Sequence, residues 1–269
     1  MIRVKFPIVT AVAALTFAMD AAAQSNTVDE IAKYRQQLQD GNPAELWEAR
    51  GEGLWKQKRG PKNVSLEQCD LGKGAGVVKG AYAALPRHFA DADRVMDLET
   101  RLVHCMVTLQ GFTLADATRR PFGAGSNRAD LEALTAYVTS ESRGVTMNVA
   151  LHHAKEKEAY RLGEKIFYFR AGPHDFACST CHAEDGKRIR LQDLPNLTQK
   201  AGAQLGYTTW PAYRVSQGEL RTFQWRLYDC FRQQRFPEMK YGSEASVALT
   251  TFLAYNANGA AFNAPSIKR

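Results

Sequence analysis

Three short patterns recur along this 269-residue chain in the same order, and that repetition constrains the fold more than any single residue does. Gly60-Pro61, followed eight residues after the proline by Cys69, is matched by Gly172-Pro173 and Cys181 at the same spacing. Arg101-Leu102-Val103-His104-Cys105 is matched by Arg226-Leu227-Tyr228-Asp229-Cys230. Ala133-Leu134-Thr135, with Gly144 nine on, is matched by Ala248-Leu249-Thr250 with Gly259 nine on. The offsets are 112, 125 and 115 residues, so duplication of a domain of roughly 100 residues accounts for all three matches. The boundary is expected between Glu141 and Leu151.

Within each half the apolar spacing is helical. Asp93 to Leu109 places Val95, Leu98, Leu102, Cys105, Met106 and Leu109 on one face, and further helices are expected over Ala129–Val138, Glu156–Phe169 and Glu244–Tyr255. An amphipathic helix over Val28–Leu38 is closed by Asp40-Gly41-Asn42-Pro43. Strand alternation is scarce, and Gly72–Val78 reads as loop. With 45% hydrophobic and 23% charged residues the chain can build cores, which excludes disorder, collagen and coiled coil.

Residues 1–23 read as a secretory leader. Arg3 and Lys5 are basic, Phe6–Met19 is apolar, and Ala21-Ala22-Ala23 offers a small-residue cleavage site before Gln24. The apolar stretch is too short and interrupted to span a bilayer, and no later segment is long enough. Removal leaves 33 basic and 27 acidic residues, a net +6 that suits small anions or an acidic partner and is too diffuse for nucleic acid. Export also permits disulfides.

Cys178-Ser179-Thr180-Cys181-His182 is a C-x-x-C-H motif, the attachment signature of c-type haem. Two thiols at this spacing reach both vinyl groups of one porphyrin edge, and the adjacent imidazole then ligates iron. A thioredoxin-like site would need a βαβ context and a zinc site a second ligand pair; neither pattern is present. The repeat puts Leu66, Cys69 and Asp70 where the second half has Cys178, Cys181 and His182. The fold class expected is therefore mainly α: two tandem cytochrome c-like domains, with one covalently bound haem c carried by the second alone. The divisions are a leader, 1–23; an N-terminal helical extension, 24–50; a haem-less domain, 51–148; and a haem-binding domain, 149–269.

Cys69, Cys105 and Cys230 remain beyond the thioether pair, so parity leaves one thiol over. Cys181 and Cys230 both belong beside the haem, so Cys69 and Cys105 should flank the equivalent empty space. A Cys69–Cys105 disulfide is predicted, with Cys230 free. Two candidates compete for the far side of the iron. Met239 would give the His182/Met239 ligation of an ordinary electron carrier with no catalytic role; Cys230 would supply a thiolate. His152 and His153 precede the haem domain, His174 is too near the attachment site, and His88 and His104 belong to the first half. The neighbours of Cys230 favour the thiolate. Trp225–Arg235 reads as helix, which sets Arg226 four residues before Cys230 on the same face, with Arg232 and Arg235 beyond. A guanidinium there lowers a thiol pKa and grips an anion. A repeated arginine also fits a structural role, and Asp229 fits either an orienting or a surface role.

The Cys178–His182 motif, Arg226 and Asp229-Cys230-Phe231-Arg232-Gln233-Gln234-Arg235 together resemble the SoxA family of periplasmic sulfur-oxidising cytochromes. Cys69-Asp70-Leu71-Gly72-Lys73-Gly74 and Ala81-Tyr82-Ala83-Ala84-Leu85-Pro86-Arg87 resemble its first domain. Some members carry two C-x-x-C-H motifs; Leu66 and Asp70 place this chain with the single-haem branch. The resemblance implies an L-cysteine S-thiosulfotransferase. It implies a heterodimer with the small cytochrome SoxX, conjugating thiosulfate oxidatively to a cysteine of the carrier SoxYZ and passing electrons to an acceptor cytochrome. It implies thioether attachment by Cys178 and Cys181 and proximal ligation by His182. Cys230 would be the distal ligand, persulfidated and catalytic, and Arg226 would bind substrate.

Overall fold

The computed structural model describes residues 33, 37, 40–124, 128–189 and 192–268. The expected leader, 1–23, and most of the helix expected over Val28–Leu38 lie outside them, although Lys33, Gln37 and Asp40 are helical. The remaining elements belong to the unit Pro43–Arg269. Helix α1 (Glu45–Lys56) leads to a hairpin of β1 (Arg87–Phe89) and β2 (Arg94–Met96). Helices α2 (Leu98–Thr108), α3 (Leu114–Thr118), α4 (Asp130–Ser140), α5 (Ala154–Tyr168) and α6 (Cys178–His182) follow. A small hairpin, β3 (Arg188–Ile189) and β4 (Gln192–Asp193), precedes α7 (Lys200–Thr208). Then come β5 (Ala212–Arg214), β6 (Glu219–Arg221), α8 (Phe223–Gln233), α9 (Glu244–Asn256) and β7 (Ser266–Lys268). In this last sheet β5 lies centrally, antiparallel to β6 and parallel to β7. The fold is thus mainly helical, with short strands.

Most predicted helix bounds move by no more than two residues, and the start of α2 moves by five. The helix expected from Asp93 starts at Leu98: Asp93 takes φ 47° at a turn, Arg94–Met96 pair with β1, and the Asp97 carboxylate caps α2 by accepting the Thr100 N–H at 2.9 Å. Val95 fitted the helical period but belongs to the hairpin, because a few residues of periodicity cannot outweigh a cap and a strand partner. Likewise α8 starts two residues before Trp225, capped by Thr222, and stops at Gln233, since Arg235 adopts φ 56°.

The segments related by the sequence repeat are built alike. Gly60 and Gly172 take φ 69° and 72° in turns closed by Asn63 N–H to Gly60 O (3.0 Å) and Asp175 N–H to Gly172 O (3.1 Å). A two-stranded hairpin enters α2 and another enters α8. Helix α1 packs on α4 at Gly51 and α5 on α9 at Gly163. The segments 144–147 and 259–262 exchange backbone bonds reciprocally: Gly144 N–H to Phe262 O (2.9 Å) and Gly259 N–H to Met147 O (3.0 Å). Tyr82 and Tyr207 stack between the halves at 6.2 Å. One apolar core runs through both, including Leu102 and Leu134 of the first half and Phe167 and Leu249 of the second.

Polar ties fix the start of α8 against the first half. Gln224 donates to the Asp97 carboxylate at 2.6 Å through its side chain and to Glu99 at 3.2 Å through its backbone. Burial, and then the charge of Asp97, push the Glu99 carboxyl well above the usual carboxylate range. Arg221, just before α8, pairs with buried Glu132 of α4 at 3.0 Å.

The α5–α9 crossing is close because Gly163 has no side chain. A Cβ there would lie 2.0 Å from the Ala248 carbonyl oxygen and 2.8 Å from the Phe252 Cβ. Gly163→Ala must therefore push the helices apart, an overpacking cost of ~1–3 kcal/mol. Gly53 of α1 has open space around it. Gly53→Ala should be neutral or stabilising by a few tenths up to ~1 kcal/mol. Chemical denaturation of both variants checks the contrast.

Candidate functional site

Helix α6 is a single turn that delivers Cys178, Cys181 and His182. Its start is held by the Ala177 N–H donating to the Thr180 hydroxyl oxygen at 2.9 Å. The segment 195–197 then grips His182 twice. Its Nδ1 lies 2.9 Å from the Pro195 carbonyl oxygen, and its own carbonyl accepts the Leu197 N–H at 2.7 Å. A carbonyl only accepts, so Nδ1 carries the proton and Nε2 keeps a free lone pair. Burial lowers the His182 pKa, which favours the same neutral ring.

Helix α8 brings in the opposing groups. Arg226 and Cys230, one turn apart, line the same cavity of about 460 Å³ as Cys178 and His182. Phe167, Trp210, Phe223, Leu227, Leu249 and Leu253 form its apolar walls, with Arg214 and Lys268 adding charge. A smaller adjoining hollow of about 60 Å³ is lined by Cys178, Cys181, His182, Arg226 and Cys230, so all three thiols and the imidazole surround one space. Cys178, Cys181 and Cys230 are unbridged and half-buried. This donor set fits a c-type haem: two free thiols at attachment spacing, an imidazole with its lone pair available, a sulfur from another helix, and apolar walls for the macrocycle.

The positive potential expected to acidify Cys230 is present but is outweighed. Burial pushes its thiol up, against a downward pull from Arg226 and, more weakly, Arg214. Burial likewise pushes Cys178 up to about 12. Arginines alone therefore do not make Cys230 a standing thiolate. Lys268 is pushed down to about 8, by burial first and then by Arg214 and Arg226.

The two repeated arginines part ways. Arg101 is structural: its Nε donates to the Asp70 carbonyl at 2.7 Å, its Nη1 to both Asp91 oxygens at 2.8 Å, and it lies over the Phe89 ring. Arg226 has only the long 3.4 Å contact to Asp229 and lines the cavity. Asp229 is buried, which removes the surface reading; it accepts from Arg232 at 2.9 Å and Gln233 at 2.6 Å as well. Arg232 and Arg235 are exposed. Where the second half keeps Cys181 and Cys230 free, the first half joins Cys69 to Cys105 in a disulfide with Cα atoms 5.7 Å apart, as predicted.

Met239 is placed elsewhere. It is buried beside a different hollow, with Phe231, Phe236 and Pro237, and does not line the cavity that His182 faces. None of the other histidines lines that cavity either. His153 caps α5 and stacks on His88 at 3.7 Å, and His104 lies 3.5 Å from Asp91. Sequence reasoning missed Arg214 and Lys268. Neither has a counterpart of its own type in the repeat, and both reach the cavity only through the pairing of β5 with β7, which no local pattern announces.

Comparison with known proteins places these features in context. The family model described as SoxA/TsdA, cytochrome c domain, matches residues 50–147 and again 162–262. The L-cysteine S-thiosulfotransferase subunit SoxA of Hydrogenophilus thermoluteolus is 50% identical over 256 residues, covering 94% of this chain and 92% of that protein. A protein of the same name from Hydrogenobacter thermophilus is 32% identical over 254 residues, covering 92% of each. The crystal structure of SoxXA from P. pantotrophus superposes with a TM-score of 0.71 at 23% identity, covering 88% of this chain and 84% of that one, a likeness of fold.

Proposed function

The chain belongs to the SoxA family, and from that membership we propose that it is the catalytic subunit of an L-cysteine S-thiosulfotransferase, joining thiosulfate oxidatively to a carrier-protein cysteine. The observation that carries this reading is the convergence of the C-x-x-C-H helix, the His182 lone pair, Cys230 and Arg226 on one apolar cavity. Arg226, spared the bonds that immobilise Arg101, is the group that holds the thiosulfate dianion beside Cys230. Asp229 braces it from the buried side.

The outer sulfur of Cys230, carried as a persulfide, forms a sulfur–sulfur bond with the sulfane sulfur of thiosulfate, and that bond formation gives up two electrons. The carrier thiolate then attacks the transferred sulfane sulfur and displaces the Cys230 sulfur, leaving the carrier conjugated and Cys230 ready again. Overall one thiol and one thiosulfate yield the conjugate, one proton and two electrons. Bound haem would supply a one-electron acceptor and a metal that keeps a coordinated sulfur deprotonated, which arginines alone do not achieve here. Cys178 and Cys181 would hold it by thioethers, and His182 and Cys230 would be its iron ligands.

The same reading assigns the two matched segments to a duplicated cytochrome c domain, divided as 51–148 and 149–269, with haem only in the second. The Cys69–Cys105 bridge then closes the space that the haem would fill in the first. It takes SoxX as heterodimer partner, SoxYZ as carrier, a further cytochrome as electron acceptor and the periplasm as the site of action, reached by removal of residues 1–23. Among the described residues no helix is long and apolar enough to cross a membrane. The rival His182/Met239 carrier would require Met239 to leave its own hollow.

Intact-protein mass spectrometry of material matured with haem tests the assignment. The expected mass carries one haem, a bridged Cys69–Cys105 pair and one added sulfur atom that reductant removes. Two haems, or none, would contradict it.

A further inference from the structure

Strands β5 and β7 run parallel, with Arg214 in register beside Lys268. Paired residues on adjacent strands project to one face, and both of these line the cavity that holds His182 and Cys230. Among the described residues neither cation has an acidic partner. Arg214 Nε is buried without any hydrogen-bond acceptor, and the Lys268 ammonium rests 5.6 Å from the centre of the Trp210 ring without a hydrogen bond or ion pair. Of the neighbouring carboxylates, buried Glu219 also keeps one oxygen without a partner, and the others are committed or exposed. Asp229 accepts from Arg226, Arg232 and Gln233; Glu219, across from Arg214 on β6, makes no ion pair with it; Asp193 at the rim pairs with Arg188 at 2.8 Å, and Asp185 is exposed. A buried guanidinium donor left without an acceptor is costly, so its retention on a cavity wall calls for an acceptor that arrives with a ligand. Two cations side by side, with Arg226 close enough to act on both, give that ligand a negative charge.

We propose that Arg214 and Lys268 form an oxyanion seat on the wall of this cavity, in addition to Arg226. Two occupants share the required chemistry: a carboxylate of the bound haem, and the oxygens of thiosulfate. The proposal deepens the haem-pocket reading and rests on it. A protein that matures without covalent haem removes that reading, whereas haem-loaded variants test the seat alone.

The experiment compares Arg214→Gln, Lys268→Gln and the charge-retaining Arg214→Lys in haem-loaded protein, by two readouts. One is the midpoint potential without substrate; the other is thiosulfate affinity, from spectral titration of the oxidised protein. If the seat holds a haem carboxylate, both Gln variants shift to a more negative potential, because removing a cation favours the more positive oxidised state. Thiosulfate affinity then stays put. If it holds thiosulfate, affinity falls about tenfold or more, and the potential moves only as far as the loss of a nearby charge requires, a shift that Arg214→Lys avoids. A change in both readouts also supports the seat, and Arg214→Lys should recover part of either effect. Should Arg214→Gln fail to fold, Lys268→Gln and Arg214→Lys still decide. Unchanged potential and unchanged affinity in haem-loaded Lys268→Gln, with a wild-type response in Arg214→Lys, overturns the proposal.

Discussion

Cys230→Ala is expected to retain its covalent haem and lose thiosulfate-dependent turnover by at least ~10³-fold, the scale on which enzymes fail when a covalent nucleophile is removed. Attachment should survive because the proposed thioether donors, Cys178 and Cys181, sit on α6, whereas Cys230 comes from α8. Folding survives because Cys230 is half-buried and unbridged, and α8 is held by the Thr222 cap and by Gln224 bonding to Asp97 and Glu99. Arg226→Lys separates binding from chemistry. It keeps the charge but loses the planar fork, so KM should rise severalfold while kcat falls less. A steady-state assay with the partner cytochrome and the carrier measures both. Wild-type turnover in Cys230→Ala would remove Cys230 from the reaction.

Breaking the Cys69–Cys105 bridge should produce the largest loss of stability. The two cysteines stand 36 residues apart, and closing a loop of that length is worth about 3–4 kcal/mol in the chain-entropy model. The bridge also ties the 66–69 turn to α2, with Leu66, Cys69 and Cys105 buried in the core. Cys69→Ala/Cys105→Ala should therefore unfold at much lower denaturant concentration, and reductant should destabilise the wild type while leaving the double variant unchanged. Turnover at low temperature should persist, because neither cysteine lines the cavity. A double variant as stable as the wild type would mean that the first half does not depend on the bridge.

These outcomes rest on features that were legible in the sequence to different degrees. The thioether motif and the repeat were plain, because both are local: one is a five-residue spacing and the other a set of fixed offsets. The disulfide followed from parity plus the repeat and is present. The helices over Glu156–Phe169 and Glu244–Tyr255 lie within two residues of their predicted bounds, the first amphipathic and the second buried along a continuous run from Ser246 to Ala254, both closed at the start by a side-chain cap. The start of α2 was misread because Val95 fits the helical period while its hydrogen bonds go to β1. The glycines that seat the paired helices, Gly51 and Gly163, went unnoticed, since a close crossing is visible only once both helices are in place. Arg214 and Lys268 were hidden for a related reason: 54 residues separate them, and only the parallel pairing of β5 with β7 makes them neighbours. Burial of Cys230 reversed the net direction of its pKa, because desolvation depends on packing that composition does not show.

The central claim is that the sulfur of Cys230, and no methionine, faces the iron opposite His182. Low-temperature EPR and optical spectra of the oxidised, haem-loaded protein test it directly, with Cys230→Met and Met239→Leu beside the wild type. A low-spin thiolate/imidazole signature is expected in the wild type, unchanged in Met239→Leu and replaced in Cys230→Met. A methionine-ligated spectrum in the wild type, lost in Met239→Leu and retained in Cys230→Met, would contradict it.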